Sequence, residues 1–130
     1  MFVIMQRTMS YRLIPVFLVT LCLTACGSTS TSPSTTTPAP AGSTTVMMVS
    51  GASTLSSTAY SPNPISVSVG TIVSWLNNDN TAHTSAANNG AWTSPSIAPG
   101  SRFNQTFTTA GSFPYHCTIH PGMVGTITVQ

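Results

Sequence analysis

Apolar and polar positions alternate with a period of two through much of the chain after residue 60. Ile65, Val67 and Val69 are separated by Ser66 and Ser68, and Phe103, Gln105 and Phe107 share a second such face. Phe113, Tyr115 and Cys117 fall on one side of a third run, with Pro114 and His116 on the other. This period belongs to strands with one buried face. Thr71–Leu76 is more continuously apolar and reads as a strand covered on both sides, while Val46–Val49 and Val124–Val129 read as the first and last strands. Asn77–Asn80, Pro95–Gly100 and Ala110-Gly111 supply turn chemistry between them. No segment carries a helical period. The pattern predicts an all-β sandwich of seven or eight short strands.

The first 45 residues follow different rules. Arg7 and Arg12 precede an apolar run, Leu13–Leu23, that falls short of the roughly 20 residues needed to span a bilayer. A charged start followed by a short apolar core is the form of a secretory signal. Met9 would serve equally well as its start, because Arg12 still follows. The run ends in Leu23-Thr24-Ala25-Cys26-Gly27, which resembles a bacterial lipoprotein signal, where cleavage before the cysteine leaves it as a lipidated N-terminus. Ordinary cleavage near Ala25 is the alternative. Gly27 to about Thr45 holds Ser, Thr and Pro with no apolar period, the composition of a tether. The expected organisation is a signal peptide at 1–25, a tether at 26–45 and a folded domain at 46–130. The protein would then stand on the periplasmic face of a bacterial membrane, held by a lipid on Cys26.

The 130 residues suffice for one domain, and charge is scarce: Arg7, Arg12, Arg102 and Asp79, with no Lys and no Glu. That excludes a basic nucleic-acid footprint. Of three cysteines, Cys22 belongs to the signal and Cys26 to the lipid site, which leaves Cys117 alone in the folded domain. A lone thiol in an oxidising compartment needs protection, and a metal bond provides it.

Candidate chemistry concentrates in Tyr115–Met123. Cys117, His120 and Met123 lie at Cys-x2-His-x2-Met spacing, so one tight loop delivers a thiolate, an imidazole and a thioether, and His83 supplies a fourth donor from far upstream. Two His and one Cys in a plane, with a weak axial Met, form the ligand set of blue-copper electron-transfer sites. Zinc competes for such donors, but structural zinc rarely takes a thioether, so the Met favours copper. His116 adjoins Cys117 but points to the other face of its strand and is expected at the surface. Met47 and Met48 read as strand packing rather than as a second soft-metal site.

These residues resemble the plastocyanin/azurin family, the cupredoxins. The matching pattern runs from Pro62, Ile65, Val67, Gly70, Val73, Trp75 and Asn77 through Asp79 and His83. It continues with Pro99-Gly100, Phe107, Gly111, Tyr115, Cys117, His120, Pro121, Met123 and Gly125. The short ligand loop is most similar to those of amicyanin and pseudoazurin. The resemblance implies a Greek-key β-sandwich, one type 1 copper held by His83, Cys117 and His120 with Met123 axial, and a non-enzymatic carrier of single electrons. It implies a monomer that meets redox proteins such as cytochromes or membrane oxidoreductases. Envelope copper storage, delivery or resistance is the alternative. Many members place Asn after the first His; this chain has Thr84, whose hydroxyl is expected to brace the cysteine loop instead.

Overall fold

A computed structural model describes residues 42–130. The signal peptide at 1–25, the lipidation site Cys26 and the tether up to residue 41 lie outside the described residues. Among the described residues, eight strands form two four-stranded sheets. The strands are β1 (Ser43–Met48), β2 (Tyr60–Ser61), β3 (Ile65–Val67), β4 (Ile72–Asn77), β5 (Ala86–Ala87), β6 (Arg102–Thr106), β7 (Gly111–His116) and β8 (Val124–Val129). One sheet has the order β2-β1-β4-β6 and the other β3-β8-β7-β5. β1 runs parallel to β4, and β3 parallel to β8; the remaining neighbours are antiparallel.

The period of two holds where it was expected. Ile65 and Val67 are buried around an exposed Ser66, and Gly125, Ile127 and Val129 are buried around half-exposed Thr126 and Thr128. Met47 and Met48 face opposite sides of β1, at 41% and 0% exposure, so they do not form a common donor pair. In β4, Val73, Ser74, Trp75 and Asn77 are buried, which matches a strand covered on both faces at its centre. β1 begins at Ser43, so the last residues assigned to the tether are strand. They pair with Ile72–Ser74, and β-branched Thr44 and Thr45 suit the pleat.

The core is aromatic at its centre. Trp75 is fully buried, with ring centroids of Trp92 at 5.6 Å, Phe103 at 5.8 Å and Tyr115 at 5.5 Å. Each fully buried large side chain of this kind contributes on the order of 1.5–3 kcal/mol. Tyr115 lies over Gly125 of the paired strand, and a Cβ at 125 would fall 2.5 Å from the tyrosine hydroxyl. Glycine is therefore required there by contact rather than by backbone angle. Ala98-Pro99-Gly100-Ser101 is a tight turn closed by the Ser101 N–H on the Ala98 carbonyl at 2.9 Å, and Gly100 takes φ +75°, the sign a type II turn demands at that position.

Candidate metal centre

One end of the sandwich gathers the chemistry. His83 follows β4 and is pinned in an isolated bridge with Ile97. The His83 N–H donates to the Ile97 carbonyl at 3.2 Å, and the Ile97 N–H returns the bond at 2.8 Å. Cys117 is the first residue after β7. The following loop closes on itself: the Met123 N–H donates to the His120 carbonyl at 2.9 Å, and the Cys117 N–H to the Met123 carbonyl at 3.1 Å. The spacing of two residues between donors thus becomes one turn joining β7 to β8.

The structure brings together three of the four expected donors at atomic distance. Cys117 Sγ lies 3.9 Å from His83 Nδ1 and 3.9 Å from His120 Nδ1, and the two ring nitrogens are 3.1 Å apart. A point about 2.1 Å from all three atoms lies in their plane, close to the ~2.0–2.3 Å bonds that imidazole and thiolate make to a divalent transition metal. His83, Cys117 and His120 can therefore hold one ion. Cys117 and His83 are fully buried, and His120 is partly exposed. Met123 is also fully buried, at the closing end of the loop. His116 stays outside this group: its Nδ1 is 2.7 Å from Asn88 Oδ1, on the other face of β7.

Asp79 determines how His83 presents itself. Its Oδ2 is 2.9 Å from His83 Nε2, and its Oδ1 accepts from the N–H groups of Gly51 (2.9 Å) and Asn80 (2.8 Å). Burial pushes this carboxyl up, but the Gly51 N–H, the His83 ring and the Asn80 N–H together hold it well below the usual carboxylate range. An ionised carboxylate only accepts, so Nε2 carries the ring proton and the lone pair of Nδ1 faces Cys117. Asn77 braces the same corner: its Nδ2 donates to the carbonyls of Thr81 and Ile97 at 2.7 and 2.8 Å, and its Oδ1 accepts from the Asp79 N–H. Sequence reasoning treated Asp79 only as a charge and a turn residue. The available signal was that the chain's one acid stands four residues before its first ligand candidate.

Thr84 surrounds the sulfur. Its N–H donates to Cys117 Sγ at 3.3 Å, and its carbonyl accepts from the Tyr60 hydroxyl at 2.9 Å. Burial, then the nearby Cys117 and Tyr115, raise Tyr60 far above an ordinary phenol, so it remains a donor. The Thr84 hydroxyl accepts from the Thr118 N–H at 2.7 Å, which ties the cysteine loop to the opposite sheet connection. The expected brace is therefore in place.

A β-sandwich that converges two imidazoles and a thiolate at one end defines a cupredoxin-type metal-binding domain. This chain belongs to the copper-binding plastocyanin/azurin family: the family described as "Copper binding proteins, plastocyanin/azurin family" matches residues 46–130. The chain is 32% identical over 76 residues to an amicyanin of Paracoccus denitrificans, covering 55% of this chain and 58% of that relative's length. It is 34% identical over 84 residues to a plastocyanin of Scenedesmus fuscus, covering 55% of this chain and 86% of that protein. Among solved structures, a purple cupredoxin from Nitrosopumilus maritimus superposes with TM-score 0.61 at 31% identity, covering 66% of this chain and 98% of that one. A reduced single-site mutant of amicyanin follows with TM-score 0.60 at 25% identity, covering 71% and 86%. The family binds copper, and the trio of donors fits that ion by atom type and spacing.

Proposed function

We propose that this protein carries single electrons through one type 1 copper site in the bacterial cell envelope. The observation that carries the reading is the close trio of Cys117 Sγ, His83 Nδ1 and His120 Nδ1, drawn from the β7–β8 loop and from a segment after β4 whose backbone is paired to Ile97. Bound copper supplies a one-electron couple between its cupric and cuprous states. His83, with its backbone paired to Ile97 and its ring held by Asp79, resists displacement when the charge of the site changes. Cys117 would hold the metal through its sulfur, at which the Thr84 N–H is directed. Met123, buried at the end of the loop, would add a thioether whose weak bond to the metal tunes potential. His120, the partly exposed member of the trio, would be the electron exit.

Location is part of the same proposal. The apolar run Leu13–Leu23 and Leu23-Thr-Ala-Cys26 support export and lipidation at Cys26, with the Ser/Thr/Pro stretch as tether and redox proteins as partners. We read the protein as an electron carrier and not an enzyme.

Loading the full chain with Cu(II) tests the reading. Intense blue or purple colour, lost in Cys117→Ser and kept in His116→Ala, together with reversible voltammetry, is the expected result. Weak colour with Cu(I) passing to an acceptor would instead indicate copper delivery. Mass spectrometry of the membrane fraction checks for lipid on Cys26.

A further inference from the structure

The sandwich is left open along one side at the end far from the metal centre. β5 pairs with β7 only at Ala86↔His116 and Ala87↔Tyr115, and the Asn88 N–H adds one bond to the Pro114 carbonyl at 2.9 Å. β7 extends on to Gly111 without β5 beside it, so Phe113 remains half-buried. A cavity of about 150 Å³ lies there, between the end of β6 and the Ala91-Trp92 loop. Its wall is aromatic: the ring centroids of Trp92, Phe107 and Phe113 are 5.1, 5.4 and 6.2 Å apart. Gln105, Thr108 and Thr109 make the rim, and the lining carries no charge. An apolar cavity on the order of 150 Å³ accepts one benzene-sized ring. This one therefore suits a small neutral ring and is too small for a folded partner.

The chain itself brings such rings to this place. β1 starts at Ser43, in register with Ile72 of β4, and Ile72 is in register with Thr106 of β6, which lines the cavity. Ser43 thus stands at the cavity's end of the sheet, two strand spacings or roughly 10 Å from β6. The residues before it are Pro38-Ala39-Pro40-Ala41-Gly42. Gly42 takes φ +77°, a left-handed bend that turns the chain out of the line of β1. Alternating prolines favour the polyproline II form at about 3.1 Å per residue, which puts Pro40 and Pro38 roughly 9 and 15 Å from Ser43. That range brackets the distance to the cavity. Such segments are stiff before they bind, lose little entropy, and dock in aromatic-lined grooves. We infer that residues 38–41, which lie outside the described residues, dock back on the domain in this form. Their proline rings sit against Trp92 and Phe113, and the Thr108 and Thr109 hydroxyls meet their carbonyls. The contact depends on neither copper nor lipid. Joined to the proposed lipid at Cys26, it would shorten the free tether to residues 27–37 and start it at the end of the domain away from Cys117 and His120.

The test uses the full chain, metal-free and in detergent micelles, so a failed copper reading leaves it intact. Nuclear Overhauser contacts in isotope-labelled protein should link the ring protons of Pro38 and Pro40 to those of Trp92 and Phe113. A mixture of labelled and unlabelled chains separates contacts within one chain from contacts between chains. Contacts that cross between chains overturn the assignment in favour of a neighbouring copy's segment. Contacts from detergent acyl chains to Trp92 in place of the prolines overturn it in favour of a lipid. Absence of any contact overturns it outright. Stability supplies a second reading. In a segment free in both folded and unfolded states, Pro38→Gly with Pro40→Gly alters the two states alike and leaves the urea midpoint in place. In a docked segment the double variant loses the ring contacts and gains freedom on unfolding, so the midpoint should fall by on the order of 0.5 M. An unmoved midpoint counts against docking.

Discussion

The Asp79 carboxylate stands 2.9 Å from His83 Nε2, four residues along the chain, and this contact decides which nitrogen of His83 faces Cys117. The carboxylate is anchored in turn by the Gly51 N–H, just beyond β1, so a ligand after β4 is oriented partly from the neighbouring strand. Partners of this kind fix the ring and raise its basicity as a ligand.

Replacing Asp79 should therefore weaken the metal site without touching a ligand. Asp79→Asn retains one accepting oxygen but turns an NH2 group toward either the two backbone N–H donors or the histidine ring. Affinity for Cu(II), measured by competition with a chelator of known strength, should fall roughly 10- to 100-fold. An unchanged affinity would mean that the Ile97 bridge alone orients His83.

Asp79 also gives a pH dependence of definite sign. Its folded-state carboxyl is held below the ordinary range by its donors, so the stabilisation it supplies is fully present above the unfolded value of about 4. That stabilisation is lost as pH falls through the depressed folded value. In urea unfolding of metal-free protein, the stability difference between wild type and Asp79→Asn should shrink as pH falls below about 4. A difference that did not shrink there would contradict the bonding described for this carboxylate.

A different kind of lesion is expected at Gly125. The methyl group of Gly125→Ala would fall within the space of the Tyr115 ring, and Tyr115 is wedged against Tyr60 and Trp75 and cannot yield freely. Overpacking of this sort costs about 1–3 kcal/mol. Because Tyr115 is two residues before Cys117 on the same face, the displacement should also disturb the absorption of the Cu(II)-loaded protein. Denaturant midpoints and the visible spectrum check the two effects; a variant as stable as wild type would show that the ring can slide aside.

Much of this was legible in the sequence because the signals were local. The alternation of Ile65 and Val67, or of Tyr115 and Cys117, is set by strand geometry and survives without knowledge of the fold. The loop spacing from Cys117 to Met123 likewise carries its own geometry. β2 and β5 were not anticipated: two-residue strands are too short to show a period, and they exist only because β1 and β7 offer edges to pair with. The contacts of Asp79 with Gly51, and of Thr84 with Thr118, span 28 and 34 positions, so only the folded chain reveals them.

Partner docking should depend little on salt. Among the described residues, Arg102 and Asp79 are the only Lys, Arg, Asp or Glu side chains. Asp79 is buried and engaged with His83, and Arg102 is directed at the hydroxyls of Ser74 and Thr45, at 3.2 and 3.4 Å. Electrostatic steering needs a charged surface whose field extends into solvent, and salt acts by shortening the range of that field. Here the surface around the partly exposed His120 is uncharged: Ile119 is 48% exposed, and Pro121 and Gly122 are exposed beside it. On the proposal above, contact would use that apolar rim, and a lipid tether near membrane partners would raise encounter frequency by confinement instead of by charge. Electron-transfer rates with the natural partner should change less than about threefold between low and physiological ionic strength, whereas strongly steered pairs fall steeply. Stopped-flow rates across a salt series decide the matter, and a steep decline would mean that the partner engages charge outside this surface.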